Sequence, residues 1–218
     1  VERLDPARAS LRDALLRHVP GDAREAVDLA AILRLVETEP GCFSRKTFAP
    51  GHVTGSGFIV HPGTRRVLLH HHRRLDAWLQ MGGHDEGEGD PRATALREGA
   101  EESGLADLML LSPEILDVDI HPIPAGKGEP PHLHHDVRYA LATRTPEAIL
   151  RDDAESVDLR WFGFDEAATR MGDPDATRAL TRLARLLDVA PGALKGLNPP
   201  LRPRSGLRAP RPRHTSRR

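Results

Sequence analysis

Three glutamates, Glu98, Glu101 and Glu102, stand three and four residues apart behind a glycine-rich stretch. On a helix that spacing puts the carboxylates on one face. Like charges so placed repel by roughly a few tenths of a kcal/mol per pair in water, and by more when partly buried. A cation held between them turns the penalty into binding. Hard oxygen donors from one helix suit Mg²⁺ or Mn²⁺ rather than zinc. A solvated acidic helix face would account for three glutamates alone. The glycine loop at a fixed distance and Arg97 beside the cluster point instead to a metal site.

The elements that must position these groups are legible nearby. Gly82-Gly83-His84-Asp85-Glu86-Gly87-Glu88-Gly89 reads as a loop, Asp90 as an N-cap and Pro91 as a first helical residue. Gly104 fits the left-handed position that ends a helix. Ala93, Leu96 and Ala100 form the apolar stripe expected to pack on a sheet.

With those residues in place, the segment resembles the Nudix box, G-x5-E-x7-R-E-U-x-E-E-x-G-U with U a bulky apolar residue. Gly83, Arg97, Glu98, Glu101, Glu102, Gly104 and Leu105 match in register, while Gly89 replaces the first glutamate and Gly99 the apolar residue. Glycine in the helix costs about 1 kcal/mol. The resemblance extends more loosely over 52–187, through His134-His135-Asp136-Val137-Arg138-Tyr139 and Glu155 to Phe162. It implies an α/β/α sandwich around a mixed sheet and a hydrolase that cleaves the diphosphate linkage of a nucleoside diphosphate derivative. It further implies that Glu98, Glu101 and Glu102, with the Gly82 carbonyl, hold Mg²⁺ or Mn²⁺, and that one of these glutamates or Glu155 takes the proton of the attacking water. Arg97 would orient the glutamates. Gly83, His84, His134 and Arg138 are the expected substrate-side residues. Glu88 is the expected replacement for the charge missing at Gly89. A non-catalytic nucleotide-binding sensor is the alternative. A diphosphate isomerase is a weaker one, because Cys42 lies outside the box.

The rest of the chain frames this domain. Residues 1–44 read as a helical extension with caps at Asp5 and Asp22, its second helix carrying Ala26, Leu29, Ala30 and Leu33 on one stripe. It would cover the domain or pair two subunits into a homodimer. Residues 45–190 read as the Nudix domain, with strands at Val53–Val60, Val67–His71, around Trp78–Met81, Ile115–His121, His134–Thr143 and Val157–Phe162, then a helix at Asp175–Leu187. Residues 191–218 hold Lys195 and seven arginines with no Asp or Glu, against 31 basic and 32 acidic residues overall. That tail reads as disordered, either solubilising or an electrostatic contact for nucleic acid or an acidic partner.

Twelve histidines raise a second metal question. His132 and His134 alternate onto one strand face, so a paired ligand site is geometrically open to them. Strand-end polar residues or substrate contacts are the preferred reading. Trp78 and Trp161 read as core. One cysteine excludes a disulfide framework or a thiolate zinc site. With no apolar run long enough for a membrane and no secretory leader, the expectation is a cytoplasmic protein, and the Arg-over-Lys bias suggests a bacterial source.

Overall fold

The structure, a computed structural model, describes residues 4–126 and 128–189. Strand β1 (His52–His61) is its hub. Along one edge β1 pairs in parallel with β7 (His132–Ala142) over nine positions, from His52↔His134 to Val60↔Ala142. Its other edge is divided. β2 (Arg66–His72) takes residues 59–61 and β4 (Met81–His84) takes residues 54–57, both antiparallel. β3 (Ala77–Leu79) and β8 (Ser156–Phe162) extend β2, while β5 (Met109–Leu110) and β6 (Asp117–Ile123) extend β7. The mixed sheet that results curls rather than lying flat.

Period-two alternation along the central strands sends side chains to two faces. Val53, Ile59, Leu68 and Leu141 join the core beneath α1 (Pro6–Arg17), α2 (Ala23–Thr38) and α3 (Pro91–Ser103). Phe58, Val60, Val67 and Leu69 meet α4 (Phe164–Met171) and α5 (Pro174–Val189) through Ala167, Leu180 and Leu183. The layers are therefore helix, sheet, helix. Each fully buried aliphatic side chain contributes about 1.5–3 kcal/mol of transfer free energy.

The N-terminal helices start where their caps predict. Asp5 accepts from the Arg8 N–H at 3.0 Å and Asp22 from the Glu25 N–H at 2.8 Å. These helices cover the domain: Leu15, Ile32 and Val36 are completely buried in the same core as Ile59 and Leu68. The stripe expected on α2 is rotated. Ala26 and Ala30 are exposed, and Glu25, Asp28, Leu29, Ile32, Leu35 and Val36 are buried. An apolar-only pattern missed it because two acids lie on the buried side. Glu25 accepts from the Val118 N–H at 3.3 Å and from Arg182 at 2.7 Å, and Arg178 approaches it to 3.4 Å.

β5, a 3-10 turn at Pro146–Ala148 and α4 are additions to the expected elements, and β4 continues through Gly82–His84, which the sequence reads as loop. α4 has no side-chain cap at Gly163 and only eight residues, so little in its sequence announces a start. The basic tail expected over 191–218 lies outside the described residues.

Candidate active site

α3 carries the box. Asp90 caps it by accepting from the Arg92 N–H at 3.1 Å, Pro91 opens it, and Gly104 ends it at φ 72°. The helix lies tightly on the sheet. A Cβ at Gly99 would stand 3.1 Å from Leu108 Cδ1 and 3.2 Å from Leu141 Cδ1, so glycine replaces the bulky residue because the gap is already filled. The buried face is Thr94, Ala95, Gly99 and Glu102, with Leu96 and Ala100 only partly covered; the apolar stripe is displaced from the expected one.

That rotation grades the three glutamates by depth. Glu102 is 7% exposed and accepts from the Gly82 N–H at 3.0 Å. Burial pushes its pKa up to about 8; the Gly82 hydrogen bond opposes this and the charge of Glu98 adds to it. Glu98 is half-buried, with its pKa raised by burial against the pull of Arg97. Its carboxylate covers Gly83, where any side chain would collide with it. Glu101 faces solvent.

Arg97 gathers this region. Its Nε donates to Glu88 Oε1 at 2.6 Å, Nη1 to Glu98 Oε1 at 3.0 Å and to Glu101 Oε2 at 3.2 Å, and Nη2 to the His84 carbonyl at 2.6 Å. Glu88 thus supplies a carboxylate to the box arginine. Gly89 itself has φ 61° and its N–H donates to Asp85 at 2.6 Å.

Glu155 directly precedes β8, close enough that its charge and that of Asp152 raise Glu102. His70 is a neighbour that motif reasoning did not single out. It is buried, its Nδ1 lies 2.8 Å from Ser156 Oγ and 3.9 Å from Glu102 Oε1, and burial lowers its pKa to about 4. Position 70, inside β2, was visible only as one of three consecutive histidines.

Other expected residues fall elsewhere. Arg138 is 3% exposed and bound by Asp117 at 3.2 Å, Asp119 at 2.9 Å and Asp136 at 3.3 Å. Asp136 also accepts from Thr54 Oγ1 at 2.9 Å and Ser56 Oγ at 2.6 Å. Arg138 is therefore committed to the interior of the sheet and offers no exposed edge to a ligand. His84 and His134 approach each other, with Nε2 atoms 3.2 Å apart, in a histidine group beside the box loop. Cys42 is fully buried, and burial pushes its thiol up to about 11, which removes it as a nucleophile. Trp78 packs edge-on against Phe162 at 4.9 Å, and Trp161 Nε1 donates to the Pro146 carbonyl at 2.9 Å. A cleft of about 410 Å³ bordered by Arg45, Lys46, Asp85 and Gly87 opens next to the loop.

A cation fits the glutamates by donor chemistry. Glu102 is a buried carboxyl whose ionised form the protein alone disfavours, and an adjacent divalent ion would offset that cost. The three do not form a closed cage: among the described residues, the one group of three or more His, Cys, Asp or Glu whose ligand atoms lie within 4.8 Å of one another is His52, His84, His132 and His134. Mg²⁺ does not require a closed cage, since it commonly takes one or two carboxylates, waters and substrate phosphate oxygens.

Such a donor set suits work on phosphoric anhydrides. Residues 51–183 match the family model of the NUDIX domain, and the chain belongs to the Nudix family, whose enzymes are pyrophosphohydrolases. No curated protein matches the chain. Among solved structures it is similar to a C. elegans Ap4A hydrolase binary complex at 18% identity and TM-score 0.48, covering 63% of this chain and 98% of that one. It is similar to the E. coli dihydroneopterin triphosphate pyrophosphohydrolase at 19% identity and TM-score 0.47, covering 60% and 92%. The Nudix hydrolase RenU from M. smegmatis gives 20% identity and TM-score 0.48, covering 63% and 86%. No helix among the described residues is long and apolar enough to cross a membrane.

Proposed function

We propose that this chain hydrolyses the diphosphate linkage of a nucleoside diphosphate derivative, by attack of water on phosphorus. The observation that carries the reading is the Arg97 clamp on Glu88, Glu98 and Glu101 beside the buried Glu102. Glu98, Glu101 and Glu102, with the Gly82 carbonyl, would hold Mg²⁺ or Mn²⁺. When bound, the ion would neutralise phosphate charge and acidify a bound water.

The chain's own residues divide the remaining work. Arg97 fixes the directions of Glu88, Glu98 and Glu101 and of the strand end at His84, so the oxygens are placed before substrate arrives. The Gly82 N–H orients Glu102, and the bare Gly83 leaves room for Glu98 to lie flat on the strand. Glu155 and the glutamates are the candidates to accept the proton released at the water. Lys46 borders the cleft next to the loop and supplies positive charge for an anionic substrate, with Arg45 beside it paired to Glu129 at 2.8 Å.

The test is release of a phosphorylated product from a panel of nucleotide sugars, dinucleotides, nucleoside triphosphates and CDP-alcohols, with Mg²⁺ or Mn²⁺ and with chelator. Cleavage that needs the ion supports the reading. Ligand binding without cleavage across the panel would assign the chain to the sensor class instead.

A further inference from the structure

Three strand ends meet beside the box loop, and each brings histidine. The β1–β7 register sets His52 opposite His134, and the β1–β4 register sets His84 opposite Thr54, two residues along from His52. His132 lies two residues before His134, on the same face of β7. The ring centroids of His52 stand 5.1 Å from His84, 5.1 Å from His132 and 4.9 Å from His134. One nitrogen from each of the four rings lies within 4.8 Å of the other three.

Hydrogen bonding fixes which nitrogen of two rings looks inward. His52 Nδ1 lies 3.1 Å from the Thr47 carbonyl, and His132 Nδ1 lies 2.8 Å from the Pro130 carbonyl. A carbonyl only accepts, so each Nδ1 carries a proton, and in the neutral ring each Nε2 then holds a lone pair. Both Nε2 atoms are buried without a partner, in residues 0% and 6% exposed. His84 Nε2 and His134 Nε2 face each other at 3.2 Å. That matches the edge, about 3.3 Å, of a tetrahedron of nitrogens bound to zinc at its usual distance. One shared proton would satisfy the His84–His134 pair, but it leaves the lone pairs of His52 and His132 with nothing to bind.

We propose that His52, His84, His132 and His134 form a site for one zinc ion, separate from the glutamates. Four imidazoles offer borderline-soft nitrogen donors, which select zinc-like ions and do not suit Mg²⁺. Four protein ligands close the coordination shell, as in structural rather than catalytic zinc sites. The carbonyl acceptors on His52 and His132 are the outer contacts by which metal-binding histidines are held in one tautomer and orientation. The ion ties the end of β4, and with it the start of the box loop, to β1 and β7.

The test is metal analysis and Zn²⁺ titration of the full chain with excess Mg²⁺ present. The wild type is expected to hold one zinc per chain. A His132→Gln/His134→Gln variant is expected to bind it at least about 100-fold more weakly, the upper range for loss of an outer contact alone. A Glu98→Gln/Glu101→Gln variant is expected to bind zinc as the wild type does. Equal zinc binding by the wild type and the histidine variant overturns the proposal, as does loss of zinc in the glutamate variant. Because substitutions in a buried cluster can disturb folding, Co²⁺ is also added to the wild type. Intense visible absorption of a four-coordinate ion, unaffected by Mg²⁺, supports the site; a weak octahedral spectrum or displacement by Mg²⁺ overturns it.

Discussion

Arg97 donates to the carbonyl oxygen of His84 at 2.6 Å, while the ring of the same histidine lies 3.2 Å from His134. The box arginine and the histidine group therefore grip one residue from two sides, backbone and side chain. Lysine cannot reproduce the planar fork that reaches Glu88, Glu98, Glu101 and this carbonyl together. Arg97→Lys is expected to lower kcat/KM about 10- to 100-fold with little change in melting temperature. Steady-state kinetics across a Mg²⁺ titration, with a thermal melt, checks this; wild-type kinetics would refute the clamp.

Glu101→Gln and Glu102→Gln are each expected to reduce turnover by orders of magnitude. Their stabilities should differ. Glu101 is exposed, so its loss leaves the melt unchanged, whereas Glu102 is a buried acid whose charge the fold disfavours, so the amide leaves the metal-free melt equal or higher. Near-normal activity in both variants would remove the glutamates from the ion.

Glu88→Gln is expected to weaken turnover or Mg²⁺ dependence about tenfold, because it takes one partner from Arg97. Returning a glutamate to position 89 in that variant is not expected to rescue it. Position 89 has φ 61° and a Cβ there would stand 3.0 Å from Ala7 Cβ, so the strand-to-helix turn must deform first. Assays of the single and double variants decide the point.

Glu25 is expected to govern acid stability. Burial alone would raise its carboxyl, but the His18 ring, the Gly21 N–H and Arg182 outweigh burial and hold it at about 2. The groups facing it are His18, Arg178 and Arg182, with Asp117 on the far side of Arg182. A carboxyl depressed below its unfolded value stabilises fully above about pH 4.5 and loses that contribution as pH falls through about 2. Glu25→Gln should therefore cost about 3 kcal/mol near neutrality, where it takes from Arg182 its closest carboxylate. Urea unfolding of both chains from neutral pH downward should show the gap closing in that window; a gap independent of pH would contradict it.

The box helix was legible because each of its signals is local: Asp90, Pro91 and Gly104 are read without knowing what α3 packs on. Contacts made by register were not. His132 and His134 announce a shared face, yet only the β1–β7 and β1–β4 pairings bring in His52 and His84 from far along the chain. Arg138 reads as a substrate cation until three aspartates are seen around it. Likewise Glu25 breaks the apolar stripe of α2, and its partners Arg182 and the Val118 N–H belong to α5 and β6, which no window on α2 contains.

The NUDIX match begins at residue 51, but the hydrophobic core does not. Ile32, Leu35 and Val36 from α2 and Leu15 from α1 fill the layer under β1, and Glu25 neutralises arginines that belong to α5. A chain begun at residue 51 would bare that layer to water and leave Arg182 with Asp117 at 3.7 Å as its nearest acid, while Arg178 would keep Asp117 and Asp175. Heating the intact protein should therefore give one cooperative transition, with α1 and α2 melting together with the sheet rather than peeling away first. Transplanting the catalytic half onto another protein would have to carry these two helices with it.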